Sequence, residues 1–301
     1  MKSFPTLQSL AEADEKKVLK HWEGLGYYLR ARNLHHTAKE IVEKHGGSFP
    51  ENYEAILGLK GVGRYTAGAI ASIAFNQEKP IVDGNVIRVL ARLFTIDKAF
   101  DEGKNKEIFW ELQERLIPKG QARYFNQALM ELGALICTPQ NPSCAVCPVQ
   151  KFCKAYAKDE VEKYPIRKKR KKTVKVTAAA LVLEKDRKYF IHRRPVGKIM
   201  GGLWEFPEWK LSKDKKLTAN TIRSLTLKHA RKLFGRSIES LKPLGQIKRN
   251  YTHHLETLHV FFTESNIARP TQSWPSAWVT KKEFAAHPFS SAHLKITKLI
   301  T

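Results

Sequence analysis

Four cysteines, Cys137, Cys144, Cys147 and Cys153, fall within 17 residues of a chain that has no other cysteine. Their spacing is C-x6-C-x2-C-x5-C. Four thiolates in one short loop can ligate a metal centre, and either zinc or an iron–sulfur cluster accepts such a set. The disulfide framework of a secreted chain would spread its cysteines more widely. A second segment able to bind runs Leu59-Lys60-Gly61-Val62-Gly63-Arg64-Tyr65-Thr66-Ala67-Gly68. Gly61 and Gly63 permit a tight turn and close backbone approach to a ligand. The turn leads into the N-terminus of a helix, where free N–H groups favour an anion such as a phosphate. Eighteen residues after Tyr65 comes Val82-Asp83-Gly84-Asn85-Val86. An aspartate before glycine reads, taken alone, as a helix cap.

The whole chain agrees with an anionic partner. Of its 301 residues, 53 are Lys or Arg and 29 Asp or Glu, a formal charge of +24. That surplus exceeds what solubility needs and suits nucleic acid. No run of 18 apolar residues is present, so no membrane partner is expected. Met1-Lys2-Ser3-Phe4-Pro5 lacks the apolar core of a signal peptide. The expected location is cytoplasmic, with nucleoid association in a bacterium, and the expected state is a monomer.

The elements that position these groups divide by composition. Residues 6–157 read as almost entirely helical. Thr6 can cap a helix carrying Leu7, Leu10, Val18 and Leu19. Helical periodicity continues over 27–45, 51–57, 64–75, 84–95, 104–116 and 121–136. Residues 163–172 hold a proline and six consecutive basic residues, a linker by composition or an arm along DNA phosphate. After it, strand patterns cover 174–183, 189–193, 243–249 and 256–263, with helices near 219–234 and 292–300. That is a separate α+β domain. The expected division is residues 1–160, a linker over 161–173, and 174–301.

The hairpin and its following aspartate together resemble the HhH-GPD superfamily. The cysteine spacing resembles the iron–sulfur loop of endonuclease III and MutY glycosylases, which implies a [4Fe–4S] cluster held by the four cysteines. The implied fold is a mainly α helix-hairpin-helix glycosylase domain with an iron–sulfur loop, then an α+β Nudix-like domain. In that resemblance Gly61, Gly63 and Arg64 face DNA. Asp83 is the catalytic carboxylate, which stabilises positive charge on the deoxyribose as an N-glycosidic bond breaks. Asn85 hydrogen-bonds around it. Lyase members carry a Schiff-base lysine where this chain has Tyr65, so the resemblance implies a monofunctional glycosylase with Tyr65 close to Asp83.

Trp22-Glu23-Gly24-Leu25-Gly26-Tyr27-Tyr28-Leu29-Arg30-Ala31-Arg32-Asn33-Leu34 is similar to a segment of MutY-type adenine DNA glycosylases. Leu25 and Tyr27 suit wedging into the base stack around a flipped adenine. Arg30 and Arg32 suit phosphate or the core's acidic groups. Gly201-Gly202-Leu203-Trp204-Glu205-Phe206-Pro207 resembles the start of that family's Nudix-like domain. Lys228–Gly235 lacks the glutamates that hold Mg²⁺ in a Nudix hydrolase, so nucleotide hydrolysis is not expected. Tyr251-Thr252-His253 stands where the family has its 8-oxoguanine-recognition loop, with Tyr in place of Phe. The resemblance implies removal of adenine opposite 8-oxoguanine or guanine in double-stranded DNA during base excision repair. It also implies an earlier motif with a general-acid glutamate. No such motif is found, which leads to the expectation of an N-terminally truncated chain, catalytically weak or inactive but still DNA-binding.

Overall fold

The computed structural model describes residues 2–168, 172–195, 197, 200–236, 238–251, 253–264 and 275–300. Its helices are α1 (Leu7–Ala11), α2 (Glu15–His21), α3 (Leu29–Lys44), α4 (Tyr53–Gly58), α5 (Arg64–Phe75), α6 (Gly84–Phe94), α7 (Lys106–Leu116), α8 (Ala122–Glu131), α9 (Lys154–Ala157), α10 (Ala219–Phe234) and α11 (Ser291–Thr297). The strands are β1 (Val174–Lys185), β2 (Lys188–Arg193), β3 (Trp204–Glu205), β4 (Glu208–Lys213), β5 (Lys242–Tyr251), β6 (His254–Glu264) and β7 (Ser276–Val279). Residues 1–35 with 171–301 form one compact unit, and residues 36–170 form another.

Packing thus groups residues 1–35 with the C-terminal part of the chain. Val18, Leu19, Tyr28 and Ala31 share one buried cluster with Leu203. Phe289 is held at both backbone atoms. Its N–H donates to the Glu23 carboxylate at 2.8 Å, and its carbonyl accepts from the Tyr28 hydroxyl at 2.9 Å. The single helix expected after Thr6 is two. Thr6 does cap α1, but the Asp14 carboxylate accepts the Lys16 N–H at 2.7 Å and starts α2 afresh.

The same unit carries a seven-stranded mixed sheet, ordered β3-β2-β1-β6-β5, with β4 beside β1 and β7 beside β2. The β1–β6 pair is parallel; the others are antiparallel. Ala178, Ala180 and Val182 of β1 face a cluster that includes Ile296 of α11. The alternate residues Ala179, Leu181 and Leu183 face Ile222, Ala230 and Leu233 of α10. Period-two alternation therefore supplies both cores. β3, β4 and β7 are absent from the sequence reading. They are short or mix Glu, Trp and Lys on a half-buried edge.

In the helical unit, α4 and α5 pack through Ile56, Ala67 and Ala71. Val86, Val89 and Leu90 of α6 pack with Phe109 and Trp110 of α7 and Leu129 of α8. The helix expected over 121–136 changes character at residue 132, and Leu132–Ile136 is a π-turn. Arg123 of α8 finishes α5. Its guanidinium donates to the carbonyls of Ile73 (2.7 Å) and Ala74 (2.8 Å), and its N–H donates to the Asn76 side chain at 3.0 Å. A cation on the last carbonyls of a helix satisfies orphan acceptors and suits the helix dipole. Arg123→Ala should lower unfolding free energy by about 2 kcal/mol, the size of lost hydrogen bonds from a charged donor. Urea denaturation measures this, and a change below a few tenths would mean that α5 terminates without Arg123.

Candidate active site

The hairpin between α4 and α5 is built as its glycines require. Gly61 has φ +80°, in the left-handed region. The turn is closed by Val62 N–H to the Leu59 carbonyl at 3.0 Å and braced by the Thr37 hydroxyl on the Lys60 carbonyl at 2.9 Å. Gly63 is the N-cap of α5 and brings no side-chain cap. No side chain of Gly63 thus satisfies the first N–H groups of this 12-residue helix, and a Cβ at Gly63 would meet nothing within 4 Å. The Arg64 side chain is exposed but not free. It lies 4.3 Å over the Trp110 ring and pairs with Glu107 at 2.5 Å. Tyr65 is 43% exposed, and no hydrogen bond links it to Asp83.

Asp83 caps α6. One carboxylate oxygen accepts the Val86 N–H at 2.8 Å, and the other accepts from the Asn85 amide at 3.2 Å. Each oxygen keeps a further lone pair for a ligand. The Asn85 carbonyl oxygen in turn accepts from Arg88 at 2.8 Å. The Arg88 guanidinium also donates to the carbonyls of Gly133 and Cys137, both at 2.6 Å. One turn further along α6, Arg92 is 2% exposed and donates to the carbonyls of Val161 (3.0 Å), Tyr164 (3.2 Å), Thr138 (2.8 Å) and Pro139 (3.3 Å). Its Nη1 lies 3.4 Å from the Cys137 sulfur. Burial lowers the pKa of Arg88, against the pull of Cys137 and Asp83. A chain of hydrogen bonds thus runs from Asp83 through Asn85 and Arg88 to the cysteine loop.

Two glycines set how closely this assembly fits. A Cβ on Gly68 would lie 2.1 Å from the Pro80 carbonyl oxygen, so α5 touches the segment leading into Asp83. A Cβ on Gly133 would lie 2.7 Å from the Asn85 Cβ, so the π-turn touches the residue that orients Asp83. Sequence reading did not single out Gly68, Gly133, Arg88, Arg92 or Arg123. A signal for two of them was present: Arg88 and Arg92 stand four apart in the otherwise apolar stretch Val86–Phe94.

Cys137, Cys144, Cys147 and Cys153 are all free thiols and line one cavity together with Arg92 and Leu132. Burial and the three neighbouring cysteines raise the pKa of the Cys144 thiol. Four sulfurs that repel one another as thiolates and form no disulfide fit a cationic iron centre. Among the described residues, no three ligating side chains converge as a single metal ion would need.

In the other unit, Leu25 is 69% and Tyr27 85% exposed. Gly24, Gly26 and Tyr27 all have positive φ, and the Trp22 indole donates to the Gly26 carbonyl at 2.9 Å. The loop is thereby fixed with two apolar side chains in solvent. Arg30 lies over the Trp22 ring at 5.7 Å, and Arg32 pairs with Glu15 at 3.5 Å. Tyr251 and His253 are at the β5–β6 turn, with Tyr251 paired to His254. Thr252 lies outside the described residues.

Family profiles match three stretches of the chain. That of the HhH-GPD superfamily base excision DNA repair proteins covers residues 1–115, the iron–sulfur binding domain of endonuclease III covers 137–153, and the NUDIX domain covers 178–299. An adenine DNA glycosylase of Homo sapiens is 32% identical over 347 residues, covering 99% of this chain and 63% of that protein. That of Schizosaccharomyces pombe is 32% identical over 310 residues, covering 87% and 66%. That of Buchnera aphidicola subsp. Baizongia pistaciae is 34% identical over 254 residues, covering 84% and 68%. The chain belongs to the adenine DNA glycosylase family. It spans about two thirds of the length of these relatives. The iron–sulfur profile begins at Cys137 and ends at Cys153, so in this family member the cysteine loop is an iron–sulfur-binding segment.

The two glycine contacts give a direct check. Gly68→Ala and Gly133→Ala should each cost about 1–3 kcal/mol of stability, as overpacking against backbone does. Gly58→Ala, where a Cβ meets nothing within 4 Å, should be neutral or slightly stabilising. Equal denaturation midpoints for all three would show that the segment at Asp83 is not held by close packing.

Proposed function

We propose that this chain acts as an adenine DNA glycosylase of base excision repair, removing adenine opposite 8-oxoguanine or guanine by hydrolysis of the N-glycosidic bond. The observation that carries the reading is the Asp83 carboxylate. It is held at both oxygens, keeps lone pairs free, and follows a hairpin whose helix N-terminus is open to a phosphate. As the bond from adenine to C1′ breaks, positive charge grows on the sugar. A fixed carboxylate stabilises that charge without reorganising, or attacks C1′ transiently until water replaces it. The open N–H groups after Gly63 favour the phosphate that would keep the nucleotide in place. Leu25 and Tyr27, exposed on a fixed loop, suit insertion where the adenine leaves the stack. No lysine stands at Tyr65, which supports hydrolysis without Schiff-base strand cleavage. The β5–β6 turn with His253 supports contact with the purine opposite.

Asn is as good a helix cap as Asp, so Asp83→Asn should keep the fold while removing the charge. The parent should bind a duplex with a cationic pyrrolidine abasic-site analogue about tenfold more tightly than one with neutral tetrahydrofuran, as expected for one charged hydrogen bond. Asp83→Asn should bind both alike. This measurement needs no turnover, and an undiminished cationic preference in the variant would remove Asp83 from the sugar.

The cysteine loop, on the same reading, holds a [4Fe–4S] cluster. The four cysteines line one cavity, and the match to the iron–sulfur binding domain of endonuclease III runs from Cys137 to Cys153, which supports a cluster over a single zinc ion. The cluster's contribution is to tie the loop together and to place negative charge beside Arg92. Chemical analysis of protein isolated without oxygen should give about four iron and four acid-labile sulfide per chain. Stoichiometric zinc in their place would overturn the assignment.

A further inference from the structure

One face of the β5–β6 hairpin grades from core to tip in register. Ile247 pairs with Leu258, then Arg249 with Glu256, then Tyr251 with His254. The first pair is apolar and buried in the sheet core. The second is an ion pair: Arg249 Nε lies 2.7 Å from Glu256, whose side chain is wholly buried. The third is a stack of Tyr251 on His254, with ring centroids 5.1 Å apart at 18°, and His253 packs against His254 at 4.3 Å. The Tyr251 hydroxyl points back toward the core and donates to Glu256 at 2.5 Å. Arg249 reaches on to Glu208 at 2.7 Å, and Glu208 accepts from His293 at 3.0 Å. The Phe206 N–H donates to His293 Nδ1 at 3.1 Å, so the ring proton is on Nε2 and aimed at Glu208. The row therefore ends on the backbone of the buried Phe206, next to α11.

These contacts commit the Tyr251 side chain. Its hydroxyl is donated to a buried carboxylate and its ring lies against His254, with Lys210 5.7 Å from the ring centroid. Burial and the Glu256 hydrogen bond push its pKa up to about 12, so it remains a donor. A phenylalanine could supply the stack but not the donation.

We propose that Tyr251 is a positioning residue of the recognition hairpin: its hydroxyl, fixed on buried Glu256, holds His253 where it can meet the purine opposite the adenine, and Tyr251 itself does not read the base. The inference rests on the reading of this hairpin as lesion-contacting. Its structural half, that the hydroxyl holds the tip, stands on the distances above.

The experiment uses the intact chain, Tyr251→Phe, Glu256→Gln and the double variant. Two quantities are read. One is the ratio of dissociation constants for adenine opposite guanine and opposite 8-oxoguanine. The other is amide hydrogen exchange at residues 253–255 in the free protein. Tyr251→Phe should raise tip exchange and lower the ratio, each by roughly tenfold, as loss of one hydrogen bond to a charged group implies. Adding Tyr251→Phe to Glu256→Gln should cause no further loss, because the two groups act as one. His253→Ala should lower the ratio while raising tip exchange less than Tyr251→Phe does. A lowered ratio in Tyr251→Phe with unchanged exchange would make Tyr251 a reader and overturn the proposal, as would additive losses in the double variant. Should Glu256→Gln fail to fold, Tyr251→Phe decides alone by the same two readings. A parent without 8-oxoguanine preference would refute the lesion specificity, while the exchange measurement would still decide whether the hydroxyl holds the tip.

Discussion

The buried guanidiniums of α6 are the constraint on which the helical unit depends. Arg88 and Arg92 stand at 7% and 2% exposure. A buried cation is costly unless every donor is met and a negative charge is near. Here the donors are met by backbone carbonyls: Gly133 and Cys137 for Arg88, and Thr138, Pro139, Val161 and Tyr164 for Arg92. These carbonyls lie in the π-turn, the start of the cysteine loop and the segment after α9. The loop cannot rearrange without stranding an arginine, and α6 cannot shift without leaving those carbonyls. Asp83 caps this helix, so its position follows from the loop's.

Close glycine contacts supply the second half of that placement. Arginine hydrogen bonds fix where α6 lies, but they tolerate several tenths of an ångström. Packing of α5 against Pro80 through Gly68, and of the π-turn against Asn85 through Gly133, does not. Electrostatic stabilisation of a charge that exists only in the transition state depends on groups already in place. A segment clamped by backbone contact on one side and by an amide–guanidinium bond on the other would meet that need in the proposed reaction.

Much of this arrangement is legible in the sequence, for reasons that can be stated. Cysteine spacing, the glycines of the hairpin and the aspartate before Gly84 are local patterns, and local patterns survive without coordinates. Helices α5, α6 and α10 read well because one face is apolar with helical period. The break between α1 and α2 does not read, because Leu10 and Val18 keep a helical phase across the Asp14 cap. Strands β4 and β7 are edge strands whose residues lack the β-rich composition of β1. Gly68 and Gly133 are illegible for a different reason: a glycine within a helical pattern tells nothing about which backbone lies against it. Arg64 stays exposed, but its partners Trp110 and Glu107, more than forty residues on, are not legible from the hairpin.

Both units use the same device at the ends to which function is assigned in the proposal. An arginine, buried in Arg88 and half-buried in Arg249, collects polar partners from separate segments and transmits their position to a short group: Arg88 to Asp83 through Asn85, and Arg249 to the β5–β6 turn through Glu256. The choice of residue follows from geometry. A guanidinium offers five donors in one rigid plane, so it can bind two or three acceptors at fixed mutual angles. An ammonium is a single point on a flexible stem and could satisfy the acceptors in turn but would not fix their angles. An apolar side chain of similar volume would often be at least as stabilising as a buried charge, but would leave the carbonyls of the cysteine loop without donors, or the Glu256 carboxylate with the Tyr251 hydroxyl alone. Each arginine is thus explained less by the stability it adds than by the orientation it imposes. On the proposed function, orientation is what Asp83 at the sugar and His253 at the purine opposite would both require.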